Sequence, residues 1–201
     1  MGKKPDISIQ RAVEVFEESV SVRRAYCADH EFFKMTDFWE ELCEGSETWS
    51  VRTYRSGIGE DFARKAGVIA FADRVTLSVD EKLWADARKG KWFFNFMLAH
   101  EAGHLILDHH ARGAVTKNFQ LYGPEGTVNL PPNAEELETN YAAVFLQCGV
   151  ALMKPDLSDL QLARKAYSDR TYIEKARKAV KLEAFQRILN RPKPIRERVV
   201  L

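Results

Sequence analysis

The sequence predicts an α+β domain that is mostly helical and carries one small antiparallel sheet. Three observations lead there. Most of the chain places apolar residues at helical spacing. One short region, residues 75–80, alternates apolar and polar side chains instead. The composition, 45% hydrophobic and 29% charged, is that of a folded globular chain and too apolar for disorder.

Taken in order, residues 8–44 hold Ala12, Val15, Phe16, Val20, Phe32, Phe33 and Trp39 with no proline between them, which predicts two helices with a break near Asp29. A loop around Gly45 and Ser46 follows. Gly57, Gly59 and Gly67 then punctuate the chain. Val68-Ile69-Ala70-Phe71 is a short apolar run. Val75, Leu77 and Val79 alternate with Thr76, Ser78 and Asp80, the period of a half-exposed strand, and Asp73 and Arg74 stand where a hairpin would turn. Residues 91–110 read as one helix with Phe93, Phe94, Phe96, Met97, Leu98, Leu105, Ile106 and Leu107 around most of it, so it is expected to be buried. Residues 113–132 form a loop rich in Gly and Pro. Asn133 is placed to cap a helix from Ala134 to about Leu146, with Gly149 as its interruption. Residues 157–189 read as a basic amphipathic helical region packed through Leu160, Ala163, Tyr167 and Ile173, and Pro192 and Pro194 stop it.

The 201 residues suit a single domain, 1–201. Its parts are N-terminal helices at 1–50, a core at 51–155 and the basic helical segment at 156–201. The net charge of +1 gives no global field toward nucleic acid, so direct nucleic-acid binding is not expected. The charge is uneven: from Lys154 onward there are 13 Lys/Arg and 6 Asp/Glu, net +7, which leaves net −6 on the rest. Interspersed acidic residues make a solvated amphipathic face the simpler reading of that segment. No apolar run approaches the roughly 18 residues that cross a bilayer, and residues 1–10 lack the apolar core of a signal peptide. Cys27, Cys43 and Cys148 are scattered, without Cys-x-x-Cys spacing, as reduced cytoplasmic thiols would be.

Within the apolar helix lies His100-Glu101-Ala102-Gly103-His104. Residues four apart on a helix point the same way, offset by about 40°. His100 and His104 can therefore reach one zinc ion, and Glu101 can reach a water on it. Zinc lowers the pKa of that water, and the carboxylate takes its proton as general base. Two histidines and a glutamate inside a buried helix would be costly without such a partner.

A catalytic zinc takes three protein ligands. On a continuing helix His109 and His110 point away from the metal side, so both read as polar residues at the helix end. Asp108, four residues past His104, lies on the ligand face of such a helix and can orient a histidine ring. The third ligand is sought on the next helix, in Glu135-Glu136-Leu137-Glu138-Thr139-Asn140, where Glu136 and Asn140 share a face. Periodicity does not choose between Glu136 and Glu138. Tyr54, Tyr122 and Tyr141 are oxyanion candidates that nothing in the sequence separates from packing residues, and His30 reads as a surface residue.

The run from Phe93 to Leu107 resembles the ImmA/IrrE family of metallo-endopeptidases, as does the strand-bearing segment before it. Residues 136–143 fit the first half of that family's second block. Thr139 stands for alanine, Ala142 for phenylalanine, and Gln147-Cys148-Gly149 replaces the usual Leu-Met-Pro end. The resemblance spans residues 68–149. It implies a zincin-like fold, Glu136 as the third zinc ligand, and a cytoplasmic endopeptidase that cleaves helix-turn-helix repressors.

Zinc at His100, His104 and Glu136, with Glu101 as base and Asp108 and Asn140 behind the ligands, is thus the expected site. The substrate is expected to lie as an extended strand beside Val75, Thr76, Leu77, Ser78 and Val79, because an exposed strand edge holds a backbone by main-chain hydrogen bonds. Two other readings compete: a non-cleaving zinc-stabilised module that binds a partner, and a hydrolase of small substrates. Glu101 argues against the first, since a structural zinc site needs no base.

Overall fold

Ser8 opens the first helix by accepting a hydrogen bond from the Arg11 N–H at 3.2 Å, an ordinary serine cap. The computed structural model describes residues 7–55, 66–71, 74–109, 117–118 and 134–191. Helix α1 runs Ile9–Tyr26 and α2 Met35–Glu44, so the predicted pair with a break near Asp29 is present. Four strands follow: β1 Trp49–Tyr54, β2 Ala66–Phe71, β3 Arg74–Asp80 and, further on, β4 Lys117–Asn118. Helix α3, Glu81–Arg88, intervenes before α4, Trp92–Ile106. Helix α5 is Ala134–Cys148, and a 3-10 turn at Gly149–Met153 leads to α6 Asp159–Lys165, α7 Arg170–Val180 and α8 Glu183–Leu189.

The sheet corrects the sequence reading in two respects. Its order is β1-β3-β2-β4, and it is mixed, because β1 runs parallel to β3 while β2 and β4 are antiparallel to their neighbours. The strand β3 is also interior. Val75 to Val79 pair with Trp49 to Thr53 on one side and with Ala70 to Ala66 on the other. Both ladders are filled, so this strand has no free edge for a substrate. Arg74 belongs to the strand rather than to a turn, and Asp73 lies outside the described residues.

Helix α3 has no counterpart in the sequence reading. It starts where the Asp80 carboxylate accepts from the Lys82 and Leu83 N–H groups, both at 3.0 Å. Buried Asn95 then ties three elements together. Its Oδ1 accepts from the Met35 N–H at 2.8 Å, and its Nδ2 donates to the Ala87 carbonyl at 2.8 Å. The Trp39 indole N–H donates to the Leu98 carbonyl at 3.1 Å. These bonds fix α2 and α3 against α4, while β2 lies along another side of α4.

One buried apolar cluster takes in all three parts of the chain, from Phe16 through Leu77, Met97 and Phe145 to Ile173 and Phe185. The Phe16 ring meets Phe145 and Phe185 edge-on, at 5.1 and 5.7 Å between centroids. The basic segment is therefore packed on the body, but as three short helices instead of one region. Ala163 and Ile173 are buried as expected and Tyr167 half-buried. Leu160 is 44% exposed, and Leu162 occupies the core position instead. At the end of α5, Gly149 turns with φ 52°, and the buried Arg23 guanidinium donates to the Leu146 and Gln147 carbonyls, both at 3.0 Å. Those carbonyls lack helical partners, so the arginine completes the helix end. The three thiols are free. Among the described residues no helix is long and apolar enough to cross a membrane.

Candidate metal centre

Helices α4 and α5 meet through matching triplets. On α4 the face is His100, Gly103 and His104; on α5 it is Glu136, Thr139 and Asn140. Each set follows the i, i+3, i+4 spacing of one helix face. Gly103 lets them approach. A methyl group added there would lie 3.0 Å from the Thr139 carbonyl oxygen and from Thr139 Cγ2, and 3.3 Å from Ala142 Cβ.

The approach brings three donor atoms together. His100 Nε2 lies 3.2 Å from His104 Nε2. Glu136 Oε2 is 3.0 Å from His100 Nε2, and its Oε1 is 3.6 Å from His104 Nε2. Tetrahedral zinc with bonds of about 2.0–2.1 Å sets its ligand atoms about 3.3–3.4 Å apart, which these separations match. The buried group His100, His104 and Glu136 can hold a metal ion. Glu138 is directed elsewhere: its Oε2 accepts from Arg11 Nε at 2.9 Å. The choice that periodicity left open falls on Glu136.

Both rings have partners behind them. His100 Nδ1 donates to Asn140 Oδ1 at 3.1 Å, so its proton sits on Nδ1 and Nε2 carries the lone pair a metal needs. Asn140 thus occupies its expected place. Behind His104, Thr139 Oγ1 lies 3.3 Å from Nδ1. Its hydroxyl donates to the Glu135 carbonyl at 2.7 Å, which leaves lone pairs facing the ring. Thr139 was missed as a site residue. Its i+3 spacing from Glu136 is the signal that would have found it.

Glu101 is 1% exposed. Its Oε2 accepts from the Val68 N–H of β2 at 3.0 Å. Among the described residues its Oε1 has no hydrogen-bond partner. Burial pushes this carboxyl well above the usual carboxylate range; the Val68 hydrogen bond opposes the shift, and the nearby Glu136 charge adds to it. Compared with models of known families, with curated proteins and with solved structures, the chain matches none.

The remaining expectations divide. Helix α4 ends at Ile106 instead of continuing to residue 110, and Asp108 sits beyond it with φ 53°. Its side chain is exposed, so it leaves the ligand face on which a continuous helix would have placed it. The same turn carries His109 back to the site, with its Nδ1 3.1 Å from His104 Nδ1. The sequence reading had pointed His109 away, because it assumed unbroken helix. His110 and Tyr122 lie outside the described residues, as do most of residues 113–132 and the cap position Asn133. Tyr141 is core, its ring 5.8 Å from that of Phe145. Tyr54 on β1 and His30 are exposed.

Proposed function

We propose that this protein is a zinc-dependent endopeptidase of zincin-like fold that cuts a regulatory protein in the cytoplasm, a helix-turn-helix repressor being the substrate class that the ImmA/IrrE resemblance implies. The observation that carries the reading is Glu101. A carboxylate that is buried, fixed by one oxygen and, among the described residues, unpartnered at the other is expensive to fold. It follows His100 directly on α4 and feels the charge of Glu136, which is where a general base belongs and where a structural site needs none.

The chain's own residues supply most of the chemistry. Zinc, when bound by His100, His104 and Glu136, contributes Lewis acidity that polarises a scissile carbonyl and acidifies water. Val68 holds Glu101 in one orientation, so that Oε1 takes a proton from the attacking water. Desolvation makes Glu101 a stronger base than a solvated carboxylate. As the carbon–nitrogen bond breaks, Glu101 returns that proton to the departing amine, leaving a carboxylic acid and an amine as products. Asn140 and Thr139 hold the two rings so that their Nε2 atoms face one point. Glu136 is the least buried of the donors, with a side chain 32% exposed, so the centre meets solvent on the α5 side.

The test is incubation of the zinc-loaded protein with a candidate repressor, with and without chelator. Discrete fragments that disappear with chelator are expected. A tight complex with an uncut repressor would instead favour the partner-binding reading.

A further inference from the structure

The two histidines of the centre differ in what stands behind them: His100 has an amide oxygen, whereas His104 has a second imidazole beside the Thr139 hydroxyl. Asp108 turns the chain at φ 53°, a left-handed conformation that aspartate tolerates better than most residues. The His109 N–H donates to the His104 carbonyl at 3.0 Å. The His109 ring returns to within 5.3 Å of the His104 ring, centroid to centroid, and the two Nδ1 atoms are 3.1 Å apart. At that distance one nitrogen donates and the other accepts.

The direction follows from the surroundings. His104 can direct a lone pair from Nε2 toward His100 and Glu136 only if its proton is on Nδ1. His109 Nδ1 must then accept, and the proton of His109 must lie on Nε2. That atom faces Glu138 Oε2 at 3.9 Å. The carboxylate is itself anchored by Arg11 Nε of α1 at 2.9 Å. Thr139 Oγ1, 3.3 Å from both Nδ1 atoms, has its hydrogen committed to Glu135, so it donates to neither ring and is a second, longer acceptor for the same His104 proton. The His109 side chain is only 9% exposed, so water competes little for its ring.

We propose that His109 is a positioning residue of the metal centre. It accepts the His104 Nδ1–H and keeps His104 Nε2 unprotonated toward the metal position, while the charge of Glu138, 3.9 Å from His109 Nε2 and anchored by Arg11, favours the His109 proton on that nitrogen. This rests on the metal-centre reading above and assigns work to Glu138, the carboxylate that is not a ligand. Partners behind a ligating histidine typically change metal affinity by about 10–100-fold.

The experiment is chelator competition for zinc with the full chain as wild type, His109→Phe, His109→Gln, Glu138→Gln and His104→Ala, alongside melting of each metal-free protein. His109→Phe fills the space without accepting a proton. It is expected to lose about 10–100-fold in zinc affinity with little change in metal-free melting. His109→Gln, whose amide oxygen accepts, should regain much of the loss, and Glu138→Gln should fall between. Zinc affinity within two-fold of wild type in His109→Phe overturns the proposal. If that variant fails to fold, imidazole nitrogen spectra of the zinc-loaded wild type decide: a proton on His109 Nε2 supports it, and one on Nδ1 overturns it. Equal zinc binding by wild type and His104→Ala would overturn the metal-centre reading and the proposal together. Loss in His104→Ala with none in His109→Phe would overturn the proposal alone.

Discussion

Replacing Gly103 with alanine sets two known effects against each other. In a helix interior the change is worth about 1 kcal/mol in favour of alanine. Here the new methyl would stand 3.0 Å from the Thr139 carbonyl oxygen and Cγ2. Comfortable carbon contacts begin near about 3.5 Å, so α4 and α5 must separate by about half an ångström. Overpacking of this kind costs about 1–3 kcal/mol. The net expectation is destabilisation by up to about 2 kcal/mol. The ligands feel the same displacement, since His100 and Glu136, 3.0 Å apart, lie on opposite sides of the contact. Zinc affinity should fall at least about tenfold, the order of effect seen when the supports of a metal site are disturbed. Urea unfolding of the metal-free protein gives the first quantity and chelator competition the second. A variant more stable by the full helix-propensity gain, with unchanged zinc affinity, would refute the close approach of the two helices and the ligand geometry built on it.

Three further outcomes are expected. Zinc content, measured after dialysis, should fall sharply in Glu136→Ala and much less in Glu138→Ala; the reverse order would show the wrong carboxylate was assigned. The Cys148 thiol, pushed up to about 12 by burial, should resist alkylation at pH values where the half-buried Cys27 and Cys43 react. Because its folded pKa lies above the ordinary value of 9.0, the contribution to stability is complete below pH 9.0 and is lost as pH rises from there toward about 12. Denaturation midpoints across that range should drop less in Cys148→Ala, and an identical alkaline decline in both proteins would exclude the thiol as a cause.

Much of the centre was legible because helical spacing is a local property. His100 and His104 share a face by number alone, as do Glu136 and Asn140, and the structure only had to bring those faces together. The choice between Glu136 and Glu138 was not legible, because it depends on Arg11 more than 120 residues away, which draws Glu138 off at 2.9 Å. His109 was misread for a different reason. A left-handed residue at Asp108 ended the helix with no glycine to announce it. In the sheet, the alternation of Val75 to Val79 gave the strand but not its neighbours. Pairing with β1 joins residues 26 apart in sequence, Trp49 with Val75, and no local pattern encodes that choice. Short α3 was lost between two stronger signals, although its cap, Asp80, was visible.

The central claim is that Glu101 transfers protons beside a metal it does not ligate, and Glu101→Gln tests this most directly. Glutamine keeps the shape, and its amide oxygen can still accept the Val68 N–H, but it cannot act as a base at neutral pH. Zinc content and cleavage should be measured on the same preparation. The expected result is zinc at the wild-type level with peptidase activity lost. Wild-type turnover in the zinc-loaded variant, or loss of the zinc itself, would contradict the claim.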